Sequence, residues 1–155
     1  MIEVTIVKLS TKGRYGVKAM FDLAQHFGEG PIALKGIAER QGISEHYLEQ
    51  LMAVLRKAGL VKSIRGAQGG YILAREPENI TVGEIIRVLE GPLAPTECVS
   101  EEDPEMCKNA PTCITRTIWQ KMRESLAEVV DSITLADMVR DAEKLKGQEN
   151  LMYYI

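Results

Sequence analysis

No apolar run in this 155-residue chain approaches the roughly 18 residues of a membrane span. The opening segment 1–7 is too short for a secretory leader and carries Glu3, so a cytoplasmic protein without a membrane partner is expected. Phosphate-cradling glycine motifs are missing. There is no Gly-x-Gly-x-x-Gly between a strand and a helix, and no Gly-Lys-Ser/Thr, which removes a nucleotide-binding loop. No nucleophile–base pair stands out, so no enzyme is expected. Cysteine is scarce: three residues, an odd number in a chain without a secretion signal, which argues against a disulfide framework. What remains is 45% hydrophobic and 26% charged, ordinary for a globular protein. That is enough to bury a core without covalent staples.

The three cysteines, Cys98, Cys107 and Cys113, crowd into one stretch. Clustered thiols without a secretion signal point to a metal, an iron–sulfur centre or redox chemistry; the bland alternative is unremarkable free thiols. A structural zinc would want closely paired cysteines two to four residues apart, and no such pair is present. Thiolates suit iron–sulfur and zinc alike, so the spacing favours the former.

A net charge of -3 at first argues against nucleic acid. The charge is unevenly spread. Residues 1–75 hold 11 Lys and Arg against 6 Asp and Glu, a balance of +5, and residues 76–155 hold 8 against 16, a balance of -8. A basic half is a pointer to polyanion binding, although a solvated basic face has the same composition.

Ser10 or Thr11 can cap a first helix running to about Phe27, with Val17, Met20, Phe21, Ala24 and Phe27 on one face. Gly28-Glu29-Gly30-Pro31 stops it. Leu34, Ile37 and Ala38 mark a short second helix. Gln41-Gly42-Ile43-Ser44 is a tight turn with Ser44 as the next N-cap. A third helix follows over 44–58, with Tyr47, Leu48, Leu51, Met52 and Leu55 inward and Gly59 ending it. Strand-like 60–64 and 71–73 flank the turn Arg65-Gly66-Ala67-Gln68-Gly69-Gly70. Helix, helix, glycine turn, helix and hairpin make a winged helix-turn-helix. The third helix is of a size to enter a major groove about 12 Å wide. The Arg-Gly tip of the wing suits close approach to phosphates. Ser44, His46, Tyr47, Glu49 and Gln50 lie at or near the third helix's N-terminal half, and Arg56, Lys57, Arg65 and Gly66 are placed for the backbone and wing contacts. Gln50 can pair with an adenine edge and Glu49 can accept from a cytosine amine.

After a linker at 76–79, Thr81-Val82-Gly83-Glu84 has the form of a capping box and opens a short helix through Leu89. An irregular stretch over 93–112 contains the acidic run 101–105; a loop this long means function or disorder. A long helix begins near Thr112 or Cys113. Ile114, Ile118, Met122, Leu126, Val129 and Ile133 stripe one side of it, with Trp119 and Val130 alongside. Such a stripe either folds back on its own domain or packs on a second copy. The second is favoured because a helix-turn-helix reads two half-sites through two-fold symmetry. A last helix starts at Thr134, with Asp137 at its third position, and runs to about Lys146. The expected architecture is mainly α with a small β-hairpin wing. It divides into a winged helix-turn-helix over 8–90, a cysteine loop over 91–112, a dimerisation helix and last helix over 113–147, and a tail over 148–155.

Several stretches resemble the IscR-like winged-helix regulators, the family of IscR, CymR and NsrR. They are Lys8-Leu9-Ser10-Thr11-Lys12-Gly13-Arg14-Tyr15, Ser44-Glu45-His46-Tyr47-Leu48-Glu49-Gln50-Leu51, Leu55-Arg56-Lys57-Ala58-Gly59-Leu60-Val61 and Arg65-Gly66-Ala67-Gln68-Gly69-Gly70-Tyr71. Order and spacing are kept over nearly the whole chain. The resemblance implies a homodimeric repressor binding double-stranded DNA. It places the family's start at Val7, so that 1–6 would stem from an upstream start assignment. It also implies that Cys98, Cys107 and Cys113 hold a 2Fe–2S cluster, and that the residue at Glu49 discriminates between two classes of DNA site. The first cysteine interval is three residues longer than the family's usual one, and the second matches. IscR supplies a His as fourth ligand three residues after its third cysteine; this chain has Arg116 there, which cannot ligate a metal. The fourth ligand must then be solvent or a small thiol, or come from 101–105, Asp131 or a partner's first helix, or be absent. His26 and His46 are poor candidates. The site thus resembles a weak, exchangeable one. The ending Met152-Tyr153-Tyr154-Ile155 resembles that of the clusterless CymR branch. That branch implies a partner, O-acetylserine thiol-lyase, whose active site would take the terminal Ile carboxylate.

Overall fold

The computed structural model describes residues 9–102, 104 and 107–154. Residues 1–8, Asp103, Glu105, Met106 and Ile155 therefore lie outside the described residues, and with them the upstream-start expectation, part of the acidic run and the terminal carboxylate. Helices α1 (Thr11–Gln25), α2 (Leu34–Gln41) and α3 (Glu45–Lys57) precede an antiparallel hairpin, β1 (Val61–Ile64) and β2 (Gly70–Leu73). Helices α4 (Val82–Glu90), α5 (Ile114–Ser132) and α6 (Leu135–Tyr153) follow. The fold is the expected one: a winged helix-turn-helix with long helices appended. No described helix is long and apolar enough to cross a membrane.

Local chemistry explains most boundaries. Gly42 ends α2 in the left-handed region, φ 64°, a conformation that costs a side chain little only when it is hydrogen. The Ser44 hydroxyl then accepts from the Tyr47 amide at 3.3 Å, capping α3. Strand β1 pairs with β2 in the register Val61↔Leu73 to Ile64↔Gly70. Sequence periodicity gave no sign of a third participant. Ile32 bridges Tyr71, with amide–carbonyl bonds of 3.0 and 2.9 Å in the two directions. The segment before α2 thereby becomes an edge of the wing.

One core unites these elements apart from α5. Met20, Ile37, Leu48, Met52, Leu55, Leu60, Ile80 and Ile85 are fully buried in it, and so is Leu135 of α6. The last helix thus returns its first turn to the reading unit. The Thr134–Asp137 capping box forms in full, and an isolated bridge joins Thr81 to Thr134.

Four expectations need correction. Phe27 is half exposed; α1 ends at Gln25 and the chain turns away before reaching it. The buried positions one turn earlier are Leu23 and Ala24. The 76–79 linker is a 3-10 turn with Pro77 buried. Only half of the α4 capping box exists: Thr81 accepts from the Glu84 amide, while the Glu84 carboxylate goes to Arg75. Finally, α6 does not stop near Lys146 with a separate tail over 148–155 but continues to Tyr153.

Candidate nucleic-acid interface and cysteine loop

The inner face of α3 is set by Leu48, Leu51, Met52 and Leu55. Helical geometry then turns Ser44, His46, Glu49 and Gln50 outward, and all four are exposed. Gln50 is held by a 3.3 Å hydrogen bond to His46, one turn away. Tyr47 is partly buried and packs edge-on against Tyr15 of α1, ring centroids 5.9 Å apart. Lys18 stands over the Tyr15 ring at 5.6 Å, within cation–π reach, and Lys12 lines a small cavity of about 160 Å³ with Tyr47, Gln50 and Leu89. The start of α1 thus adds Lys12, Arg14 and Lys18, all exposed, to the same side as α3. Their signal in the sequence is the concentration of basic residues at the start of α1. Arg56 donates to the Ser63 hydroxyl at 3.3 Å, joining α3 to the wing. Lys57, Arg65 and Gly66 are exposed, the last two at the wing tip.

Beneath this surface lies a buried charge. Asp22 has no exposed surface. Both its oxygens are taken by Arg40, at 3.0 and 2.7 Å, and one also accepts from Gln41 at 3.0 Å. The pairing holds the Arg40 guanidinium above its ordinary pKa, the hydrogen bond to Asp22 contributing most. The ion pair locks α1 to α2.

The cysteine loop is held at one end. Cys113 is the N-cap of α5, where partial positive charge favours thiolate. Its thiol is held below the usual range, first by the Thr115 hydroxyl 3.1 Å away and next by the Arg116 amide. Cys98 is partly buried in a 3-10 turn, and Cys107 is exposed. Among the described residues no three His, Cys, Asp or Glu side chains stand close enough together to hold a metal ion. The Arg116 Nε donates to the Cys98 carbonyl at 3.4 Å. Arg123 donates to the Val99 carbonyl at 3.0 Å. Glu101 and Asp131, two candidate fourth ligands, are both engaged by Arg87. Each carboxyl is held below its ordinary pKa, the Arg87 hydrogen bond being the largest cause.

Three helices, a hairpin wing and an outward-facing third helix define this as a winged helix-turn-helix protein. The family model described as Rrf2, iron-dependent transcriptional regulator, matches residues 9–141. The chain is 51% identical over 151 residues to the HTH-type transcriptional regulator CymR of Bacillus subtilis, covering 96% of this chain and 100% of that one. It is 44% identical over 137 residues to the HTH-type transcriptional regulator IscR of Aliivibrio salmonicida, covering 88% and 80% respectively. The solved structure of T. potens IscR matches with TM-score 0.74 at 62% identity, covering 90% of each chain. The protein belongs to the Rrf2 family of transcriptional regulators.

Proposed function

We propose that this regulator binds double-stranded DNA as a homodimer and reports the state of its cysteine loop. In this reading 8–90 bind DNA, 91–112 carry the sensor loop and 113–147 dimerise. The observation that carries it is the outward row Ser44, His46, Glu49 and Gln50, flanked by Lys57 and by Arg65 and Gly66 at the wing tip. Gln50 and Glu49 read base edges; Lys57, Arg65 and Arg56 serve phosphates. The dimer is supported by α5, which has no buried residue and leaves Ile114, Ile118, Met122, Leu126 and Val129 exposed. Apolar rows of this kind mark interaction surfaces.

The donor chemistry of Cys98, Cys107 and Cys113 fits a 2Fe–2S cluster: three thiols on one loop, one already biased towards thiolate. When bound, such a cluster supplies a redox-sensitive charge. The protein's part is to present the three sulfurs and leave the fourth position open to exchange. Anaerobic purification with iron and sulfide counts tests this, and mobility-shift assays on promoter DNA of iron–sulfur and sulfur genes test the rest. Operator binding by a protein carrying iron and sulfide in equal amounts is expected; no operator binding in any state of the loop sinks the main reading.

A second reading has one observation in its favour. The end of α6 exposes Leu151, Met152, Tyr153 and Tyr154, and the chain matches a CymR along that protein's whole length. In this reading the regulator is clusterless, controls cysteine metabolism, and docks its tail on O-acetylserine thiol-lyase. An iron-free protein from iron-replete cells that co-purifies with that enzyme supports it.

A further inference from the structure

We infer that Arg87 is the latch that couples the cysteine loop to the DNA-reading unit and to the long helix. The inference rests on the reading of the loop as the sensing element. Arg87 occupies the last turn of α4. Its Nε and Nη2 donate to the two oxygens of Glu101 at 2.9 and 3.0 Å. Its Nη1 and Nη2 donate to the two oxygens of Asp131 on α5 at 2.5 and 3.0 Å. One planar guanidinium thus joins three elements with two forked contacts, a geometry open to arginine and not to lysine. Gly83, one turn earlier on α4, makes room for it: a Cβ there would lie 2.0 Å from an Asp131 oxygen and 2.8 Å from Arg87 Nη1.

The first half of the loop is gripped from the other side as well. Arg116 and Arg123 of α5 bind the carbonyls of Cys98 and Val99, and the Val99 side chain is buried. Segment 97–101 is therefore docked by three arginines, whereas Cys107, Lys108 and Asn109 are exposed. Drawing Cys98 towards the other two sulfurs strains the docked segment. Glu101 is three residues on, and three residues span at most about 10 Å of chain, so the strain falls on its contact with Arg87. If Glu101 leaves, Asp131 alone holds α4 to α5 through this guanidinium. The other face of α4 meets the reading unit: Leu89 fills the space where Gly16 of α1 has no side chain, and it lines the cavity with Lys12, Tyr47 and Gln50. Two elements whose relation changes with the loop are what coupling between distant sites requires.

Trp119 sits between Arg116 and Arg123 on the same side of α5 and is partly buried, so its emission reports docking of 97–101 without any DNA. The test compares full-length protein before and after alkylation of its cysteines by N-ethylmaleimide, which disturbs the loop whether or not a cluster exists. Readouts are Trp119 emission and affinity for a duplex selected from a random pool by the untreated wild type. In the wild type, alkylation should shift the emission and change affinity by about 5- to 150-fold, the usual span of such couplings. Arg87→Gln and Glu101→Gln should each show the shifted emission before alkylation and an affinity ratio near one. Arg87→Lys, which keeps the charge and loses the fork, should fall between. If Arg87→Gln and Glu101→Gln keep both wild-type responses, the latch is overturned. A wild type that binds no duplex, yet shows a Trp119 response lost in Arg87→Gln, sinks the DNA-binding reading and supports the latch.

Discussion

Single residues in this regulator carry distinct tasks that their chemical type alone does not reveal. Cys113 accepts from Thr115 and from the first turn of α5, which favours thiolate. Its alkylation rate should therefore reach half-maximum at a lower pH than that of an unperturbed cysteine thiol. Replacing Thr115 by Val should move that midpoint up, as read by mass-resolved labelling across pH; an unmoved midpoint contradicts the assignment. Arg40 neutralises a carboxylate with no access to water. Arg40→Ala leaves that charge with Gln41 at 3.0 Å and His26 at 3.6 Å as its remaining partners, and a loss of about 3 kcal/mol in urea unfolding is expected. On the DNA side, Gln50→Ala should relax preference at one base position. Arg65→Ala should weaken binding to all sequences and reduce the salt slope by about 1. Sequence made the outer row of α3 legible because Leu48, Leu51, Met52 and Leu55 fix its inner face. Asp22 and Arg87 were not legible. Neither is explained within its own helix, and the partners that explain them lie 14 to 44 residues away.

At the scale of elements, contacts between helices depend on missing side chains. A Cβ on Gly16 would stand 1.9 Å from a Leu89 methyl. Gly16→Ala should therefore push α4 off α1 and cost about 1–3 kcal/mol by overpacking, measured by thermal or urea melting. The Arg87 tie makes the α4–loop–α5 junction acid-sensitive. The folded-state pKa values of Glu101 and Asp131 are depressed. The stability they contribute is complete above the ordinary carboxylate pKa of about 4 and is lost as pH falls through the folded values. Urea midpoints should thus drop below about pH 4, and the drop should be smaller in Arg87→Gln. Helix caps at Ser44, Thr81 and Thr134 were readable because a hydroxyl before an apolar period is a local signal. The Ile32–Tyr71 bridge and the seven further residues of α6 were not. The first is a backbone pairing between distant segments, and the second has no stop residue after Gly147 to mark or rule out an end.

For the whole molecule, the charge split and the unpaired face of α5 belong together: a basic reading half is attached to an acidic half whose long helix offers an apolar row. Burying one Leu- or Ile-sized side chain is worth about 1.5–3 kcal/mol, so Ile114, Ile118, Met122, Leu126 and Val129 together suffice to drive association of two copies. Leu126→Glu should give a monomer by sedimentation equilibrium, and weaker operator binding should follow from the loss of the second half-site. A dimer that persists shows that α5 does not form the interface.

The bridge between Ile32 and Tyr71 has a consequence for how the protein meets its target. Both strands of the wing are tied down as far as Gly70, one to its partner strand and the other also to the lead-in of α2. Rotation is left to the few residues of the Arg65–Gly69 tip. In the proposed DNA-binding reading, a duplex would meet a wing that is already set, and little disorder would be surrendered on binding. Calorimetry on Tyr71→Pro, which removes the amide that reaches Ile32, should show binding turning less favourable in entropy as the wing comes loose.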